Sequence, residues 1–129
     1  LRVYNFGYGG ATTPEQTTRI STWTGAVIGS AATAGIPKIG VFSCGNDFAA
    51  GSSAAEGYLQ TYVAALKAAG ANAQILCTVP NRNWGGTPFS DYVSAINFAL
   101  RQNYKNYSDG LADLPAITQL VDGSNTTYF

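Results

Sequence analysis

Residues 36–51 read I-P-K-I-G-V-F-S-C-G-N-D-F-A-A-G, an apolar strand that runs straight into a Gly-Asn-Asp turn. In open α/β sheets, ligands bind outside the carboxyl ends of the strands, so a strand ending on a polar turn delivers its last side chains to the functional edge. The side-chain amide of Asn46 can hold a ligand oxygen there without carrying charge, which makes Asn46 the first functional candidate. The sequence contains no histidine, so a complete Ser-His-Asp machine cannot be built from it alone.

Working outward, strand and helix patterns alternate. Leu1 to Phe6 is short, apolar and β-prone and breaks into Gly7, Gly9 and Gly10, which predicts a strand and a turn. Thr13 before Pro14, with Gln16 three positions on, combines a capping box with an early helical proline. The helix it opens carries Ile20, Trp23, Val27, Ala31 and Ala34 on one face and stops at Gly35 and Pro37. Lys38 to Ser43 is the second strand. Ser53 with Glu56 repeats the capping signature before a helix through Leu59, Val63, Leu66 and Ala69, closed by Gly70. Ala73 to Val79 is a third strand, nearly all apolar and therefore expected to be covered on both faces, and it ends at Pro80. After the loop Asn81 to Thr87, Pro88 opens a helix with Phe89, Val93, Ile96 and Leu100 on one face. Asp109 to Phe129 is less regular, with Ile117 to Val121 as a candidate strand. This alternation implies parallel strands joined by right-handed crossovers, hence a three-layer α/β/α sandwich.

With 129 residues the chain is large enough for one core and too small for two, so residues 1–129 form a single domain or most of one. Seven Lys plus Arg balance seven Asp plus Glu, leaving no electrostatic footprint for nucleic acid or an anionic membrane. No apolar run approaches the ~20 residues of a membrane span. Cys44 and Cys77 are too few for a disulfide framework and, without histidine, make no zinc site. Both read as buried small apolar residues, and neither has a histidine base to make it a nucleophile. Sequons at Asn106 and Asn125 allow glycosylation in a secreted protein, and the Gly-, Ala-, Thr-, Asn- and Tyr-rich composition favours an extracellular, periplasmic or virion-associated setting over a cytoplasmic one. The start at Leu1 reads as a cut or processed end.

Two segments together resemble the SGNH, or GDSL-like, hydrolases. The opening N-F-G-Y-G-G-A-T-T (residues 5–13) is similar to their second conserved block, and V-F-S-C-G-N-D (residues 41–47) to their third, with one helix between the blocks. The resemblance spans Leu1 to about Leu100 and implies a flavodoxin-like SGNH hydrolase fold. It further implies a serine esterase cleaving small acyl esters, on carbohydrate or a lipid-like substrate, with no metal or organic cofactor. In that family a serine attacks the ester carbonyl, a histidine in an Asp-x-x-His block is its base, and backbone and asparagine amides hold the oxyanion. Carried over, Gly10 is the backbone donor and Asn46 the side-chain donor. Read without the family, Gly10 is a turn glycine and Asn46 an Asx-turn residue closing a strand. Asp47 is expected to brace the turn, and Phe48, Asn81 and Trp84 fall where pocket walls are expected.

Nucleophile and base are absent from the chain. No Gly-Asp-Ser block precedes Leu1, and Asp122-Gly-Ser-Asn125 has the spacing of the late block with asparagine in place of histidine. Either that block is degenerate, or residues 1–129 are a truncated domain lacking both the serine-bearing first strand and the histidine block. The second reading accounts for both losses at once. It places a gap one strand wide, about 4.8 Å, between the strands at Leu1 and Lys38, filled by polypeptide outside this stretch or by a second chain. By itself the chain is expected to be inactive. The alternative functions are a catalytically silent SGNH-like binding or structural module of a larger assembly, and an unrelated flavodoxin-like ligand-binding domain.

Overall fold

The computed structural model describes residues 2–6, 10–80 and 86–116. They form a mixed α/β unit around a parallel sheet of β1 (Ile39–Phe42), β2 (Ala73–Cys77) and β3 (Gly110–Ala112), in that spatial order. Ile39 pairs with Ala73 and Phe42 with Leu76, while Ile75 pairs with Gly110 and Cys77 with Ala112. Helices α1 (Thr13–Thr18) and α2 (Ile20–Trp23) precede the sheet, α3 (Ser52–Ala68) connects β1 to β2, and α4 (Gly86–Asn103) connects β2 to β3.

A sheet that advances β1, β2, β3 through right-handed crossovers puts both connecting helices on the same face, and burial follows that rule. Leu76 is buried, Phe42 and Leu111 beside it pack against the core, and they meet Leu59, Tyr62, Val63 and Leu66 of α3 and Phe89, Val93, Ile96 and Leu100 of α4. The opposite face carries Ile39 and Val41, 60% and 64% exposed, and the half-buried Ile75 and Cys77. Among the described residues the helical core meets the sheet on the Phe42, Leu76 and Leu111 face, while Ile75 and Cys77 of the strand expected to be covered on both faces are half-buried.

Two local expectations also shift. The first capping residue is Thr12, one position earlier than expected. Glu15 accepts its backbone N–H at 2.7 Å and its hydroxyl at 2.9 Å. The helix that follows breaks at Arg19 and widens into a π turn over Thr24–Ile28 that ends at Gly29, leaving Ala31 and Ala34 exposed. The Thr24 hydroxyl donates to Ile20 O at 2.9 Å, and Gly29 N–H reaches back five residues to Thr24 O, a side-chain competition that bends helices. The C-terminus of α3 matches expectation: Gly70 N–H bonds Lys67 O and Ala71 N–H bonds Leu66 O, the paired bonds of a Schellman cap.

Residues 2–6 form no strand, correcting the strand expected over Leu1 to Phe6. No described strand lies beside them to complete a ladder. Phe6 stacks on Trp23 with ring centroids 5.3 Å apart, and Tyr4 on Phe6 at 6.3 Å, so aromatic packing holds the segment against α2. β3 was absent from the expectations because Gly-Leu-Ala is too short to show a period. The candidate strand Ile117 to Val121 lies outside the described residues.

Candidate functional site

β1 ends at Phe42, and the chain passes through Ser43 and Cys44 into a 3₁₀ segment, Gly45–Ala50, at the carboxyl edge of the sheet. Asp47 in this segment is 2% exposed. Its Oδ1 accepts the backbone N–H of Thr13 at 2.9 Å, and its Oδ2 accepts the Thr13 hydroxyl in a short bond. Asp47 thus satisfies a donor at the start of α1 that the helix itself leaves unpaired. Its neighbour Asn46 donates Nδ2–H to Ala11 O at 3.1 Å. Underneath, the Tyr92 hydroxyl of α4 donates to Cys44 O at 2.7 Å.

These bonds tie the two sequence segments singled out above into one structure. Gly10 stands next to Ala11 and has φ +79°, a conformation that L-residues with a Cβ rarely adopt. A Cβ built at position 10 meets nothing within 4 Å. Glycine is therefore favoured by the turn's positive φ and not by crowding of a Cβ. Asn46 is half-buried and has a second Nδ2 hydrogen beyond the one given to Ala11. Phe48 is 38% exposed and packs edge-on against Phe89 at 5.7 Å, so its ring is partly held by the core. Asn81 and Trp84, and the Asp122 to Asn125 stretch, lie outside the described residues.

Ala11 and Asn46 line a cavity of about 930 Å³ between residues 2–6 on one side and β1 on the other. Its floor holds Trp23, Tyr62, Gln16 and Gln74. Ser43 also lines it, at the end of β1, and no histidine exists to activate it. Burial pushes the Cys44 thiol up to about 11, only partly offset by the Tyr92 hydroxyl, and burial raises the Cys77 thiol as well. Neither cysteine is a thiolate near neutral pH, so neither is an activated nucleophile. Both are free, Cys44 buried and Cys77 half-buried. Among the described residues no group of His, Cys, Asp and Glu could hold a metal ion, and no helix is long and apolar enough to cross a membrane.

Sequence reasoning missed Gln16 and Gln74. Gln74 is fully buried and, among the described residues, both its amide atoms lack a hydrogen-bond partner, as does Oε1 of Gln16, which is 3% exposed. The signal was present: Gln74 is the polar member of the strand A-Q-I-L-C, and a buried polar residue is more informative than an apolar one.

Comparison with protein-family models, with curated proteins and with solved structures finds no match.

Proposed function

We propose that residues 1–129 supply the oxyanion-binding half of an SGNH-type serine ester hydrolase acting on small acyl esters, carbohydrate esters among them, with nucleophile and base contributed by polypeptide outside this stretch. The observation that carries the reading is the joining of the Gly10 turn to Asn46 through the Asn46–Ala11 and Asp47–Thr13 bonds, at the carboxyl edge of a parallel sheet and on the rim of a cavity. A tetrahedral oxyanion is stabilised by donors already oriented before the reaction. Gly10 offers a backbone N–H at a positive-φ turn position, and Asn46 offers an amide hydrogen on a side chain anchored through its other one. Asp47 acts as a positioning residue, holding the Asn46 turn against the start of α1.

The test is hydrolysis of p-nitrophenyl acetate by the native polypeptide that contains residues 1–129, with and without Asn46→Ala. The expected result is a fall of about 10²- to 10³-fold in kcat with KM little changed. Unchanged kcat, or a loss confined to KM, refutes the oxyanion role. A second reading, a silent SGNH-like binding module, is favoured by one fact: the chain has no histidine. It gains first place if the native polypeptide also lacks a serine block and an Asp-x-x-His block and still binds a carbohydrate ester without cleaving it.

A further inference from the structure

Among the described residues of α4, Phe89, Val93, Ile96 and Leu100 are buried and apolar, while Tyr92 and Asn97, also buried, carry hydrogen-bonding groups. A polar group on a buried face needs a partner. Each of these two finds one on the main chain two residues past the carboxyl end of a strand. Beyond β2, Asn97 Oδ1 accepts Val79 N–H at 2.7 Å and Nδ2–H donates to Val79 O at 2.8 Å. Beyond β1, Tyr92 donates its hydroxyl to Cys44 O at 2.7 Å, with Cys44 Sγ 3.5 Å away.

The carbonyl that Tyr92 binds belongs to the turn that carries Asn46. Cys44 O also accepts Asp47 N–H at 3.1 Å, the bond that closes the turn around Gly45 and Asn46. The two acceptor directions of one carbonyl oxygen are thus taken by the turn itself and by α4. Cys44 O keeps a partner in Asp47 N–H without Tyr92, so the hydroxyl is not needed merely to satisfy it. Nor does packing call for a hydroxyl, since a phenylalanine would fill the same space beside Phe89, whose ring centroid is 6.4 Å away. What the bond adds is resistance to rotation of the Cys44–Gly45 peptide, which would carry Asn46 with it. The Asn46 side chain is set from the other side by the bond from Nδ2 to Ala11 O. Burial raises the Tyr92 hydroxyl above its ordinary value, so it remains an O–H donor on the alkaline side as well as at neutrality.

We propose that Tyr92 is a positioning residue for the Asn46 amide, fixing through Cys44 O the turn from which Asn46 reaches a developing oxyanion. The inference rests on the oxyanion role proposed for Asn46 and adds the element that holds it: the turn is fastened to α1 through Asp47 and to α4 through Tyr92. A donor stabilises the transition state most when it is already oriented and has little to reorganise. A misplacement of about 1 Å can cost about 10²-fold in rate, so a partial loosening of the turn should cost less. Tyr92 touches no substrate in this account, because its hydroxyl is buried beneath the turn.

Tyr92→Phe tests this in the native polypeptide that contains residues 1–129, with p-nitrophenyl acetate as substrate. The expected result is a fall of about tenfold in kcat with KM unchanged, smaller than the loss in Asn46→Ala. In an Asn46→Ala background Tyr92→Phe should change kcat by less than about twofold, because a residue acting through Asn46 has nothing left to position. Ile96→Val, on the same buried face of α4, lowers stability comparably and should leave kcat unchanged. An equal fall in both backgrounds, an unchanged kcat in Tyr92→Phe, or an equal fall in Ile96→Val each overturns the proposal. NMR of the Asn46 side-chain amide in the same polypeptide separates this from failure of the hydrolase reading. Tyr92→Phe should shift its resonances and speed exchange of the hydrogen bonded to Ala11 O by about three- to tenfold. If no ester is hydrolysed and the amide responds, the hydrolase reading fails and the positioning holds. An amide that does not respond overturns the positioning whatever the assay gives.

Discussion

Replacing Asp47 tests the joint on which the site depends. Its carboxylate is buried and accepts two hydrogen bonds from Thr13, one from the backbone and one from the hydroxyl. Hydrogen bonds to charged groups contribute about 1.5 to 3 kcal/mol each, and a buried donor left unpaired costs about 1 to 3. Removing the carboxylate also removes a buried charge, which returns part of that loss. The expected net destabilisation for Asp47→Ala is about 3 kcal/mol. Against about 6 to 19 kcal/mol for a chain of 129 residues, that is a large share. Asp47→Asn keeps an acceptor for the Thr13 N–H and turns an amide towards a hydroxyl that can accept, so its cost should be about 1 kcal/mol. Urea unfolding monitored by circular dichroism reads both, since at a typical slope of about 1 to 3 kcal/mol/M the alanine variant loses about 1 M or more of midpoint. A double-mutant cycle with Thr13→Val should return a coupling of about 1 to 3 kcal/mol. Equal and small effects of both Asp47 substitutions, with no coupling to Thr13, would refute the idea that this carboxylate fastens the 45–50 segment to α1.

Other outcomes follow from the same geometry. Gln74→Met removes two buried amide atoms that have no partner among the described residues, at similar volume, and should stabilise the chain by about 1 to 3 kcal/mol. A urea midpoint that falls instead would show that the amide is satisfied. The folded state holds the Cys44 thiol neutral to about 11 against an ordinary 9.0. The unfolded chain therefore ionises first as pH rises, and Cys44's contribution to stability, full below pH 9, should fade above it. Unfolding midpoints at neutral pH and on the alkaline side check this, and a flat profile contradicts it. Arg101 holds the Asp113 carboxyl below its ordinary value, with a further bond from Thr78. A depressed carboxylate contributes stability above its unfolded value of 3.8 and loses it as pH falls. Arg101→Ala should cost no more than about 1 kcal/mol near neutrality, because the pair is partly exposed. A larger loss would mean that Arg101 also packs α4 onto the end of the sheet.

The segments with a complete local signal were legible in the sequence. Phe89, Val93, Ile96 and Leu100 are all buried along α4, and Leu59, Val63 and Leu66 along α3, because each set repeats at helical spacing over several turns. The turn after β1 was legible because Gly-Asn-Asp ends an apolar run, and the bracing role expected of Asp47 is what its bonds to Thr13 perform. What the sequence hid depends on partners distant in the chain. A strand over residues 2–6 needs a neighbour to bond, and propensity cannot report that no described strand pairs with them. The first helix was overextended because apolar spacing continued through Thr24 and Gly29, where side-chain bonding and glycine end it. No local signal foretells the pairing of Asn46 with Ala11, 35 residues apart.

The measurement that bears most directly on the central claim is a crystal structure of the native polypeptide containing residues 1–129 after reaction with diethyl p-nitrophenyl phosphate, which leaves a tetrahedral phosphoryl group on an activated serine. The account predicts an adduct in the cavity beside β1, with one phosphoryl oxygen about 2.7 to 3.1 Å from both Gly10 N and Asn46 Nδ2. An adduct whose oxygens are held by other groups, or a serine that does not react, would contradict it.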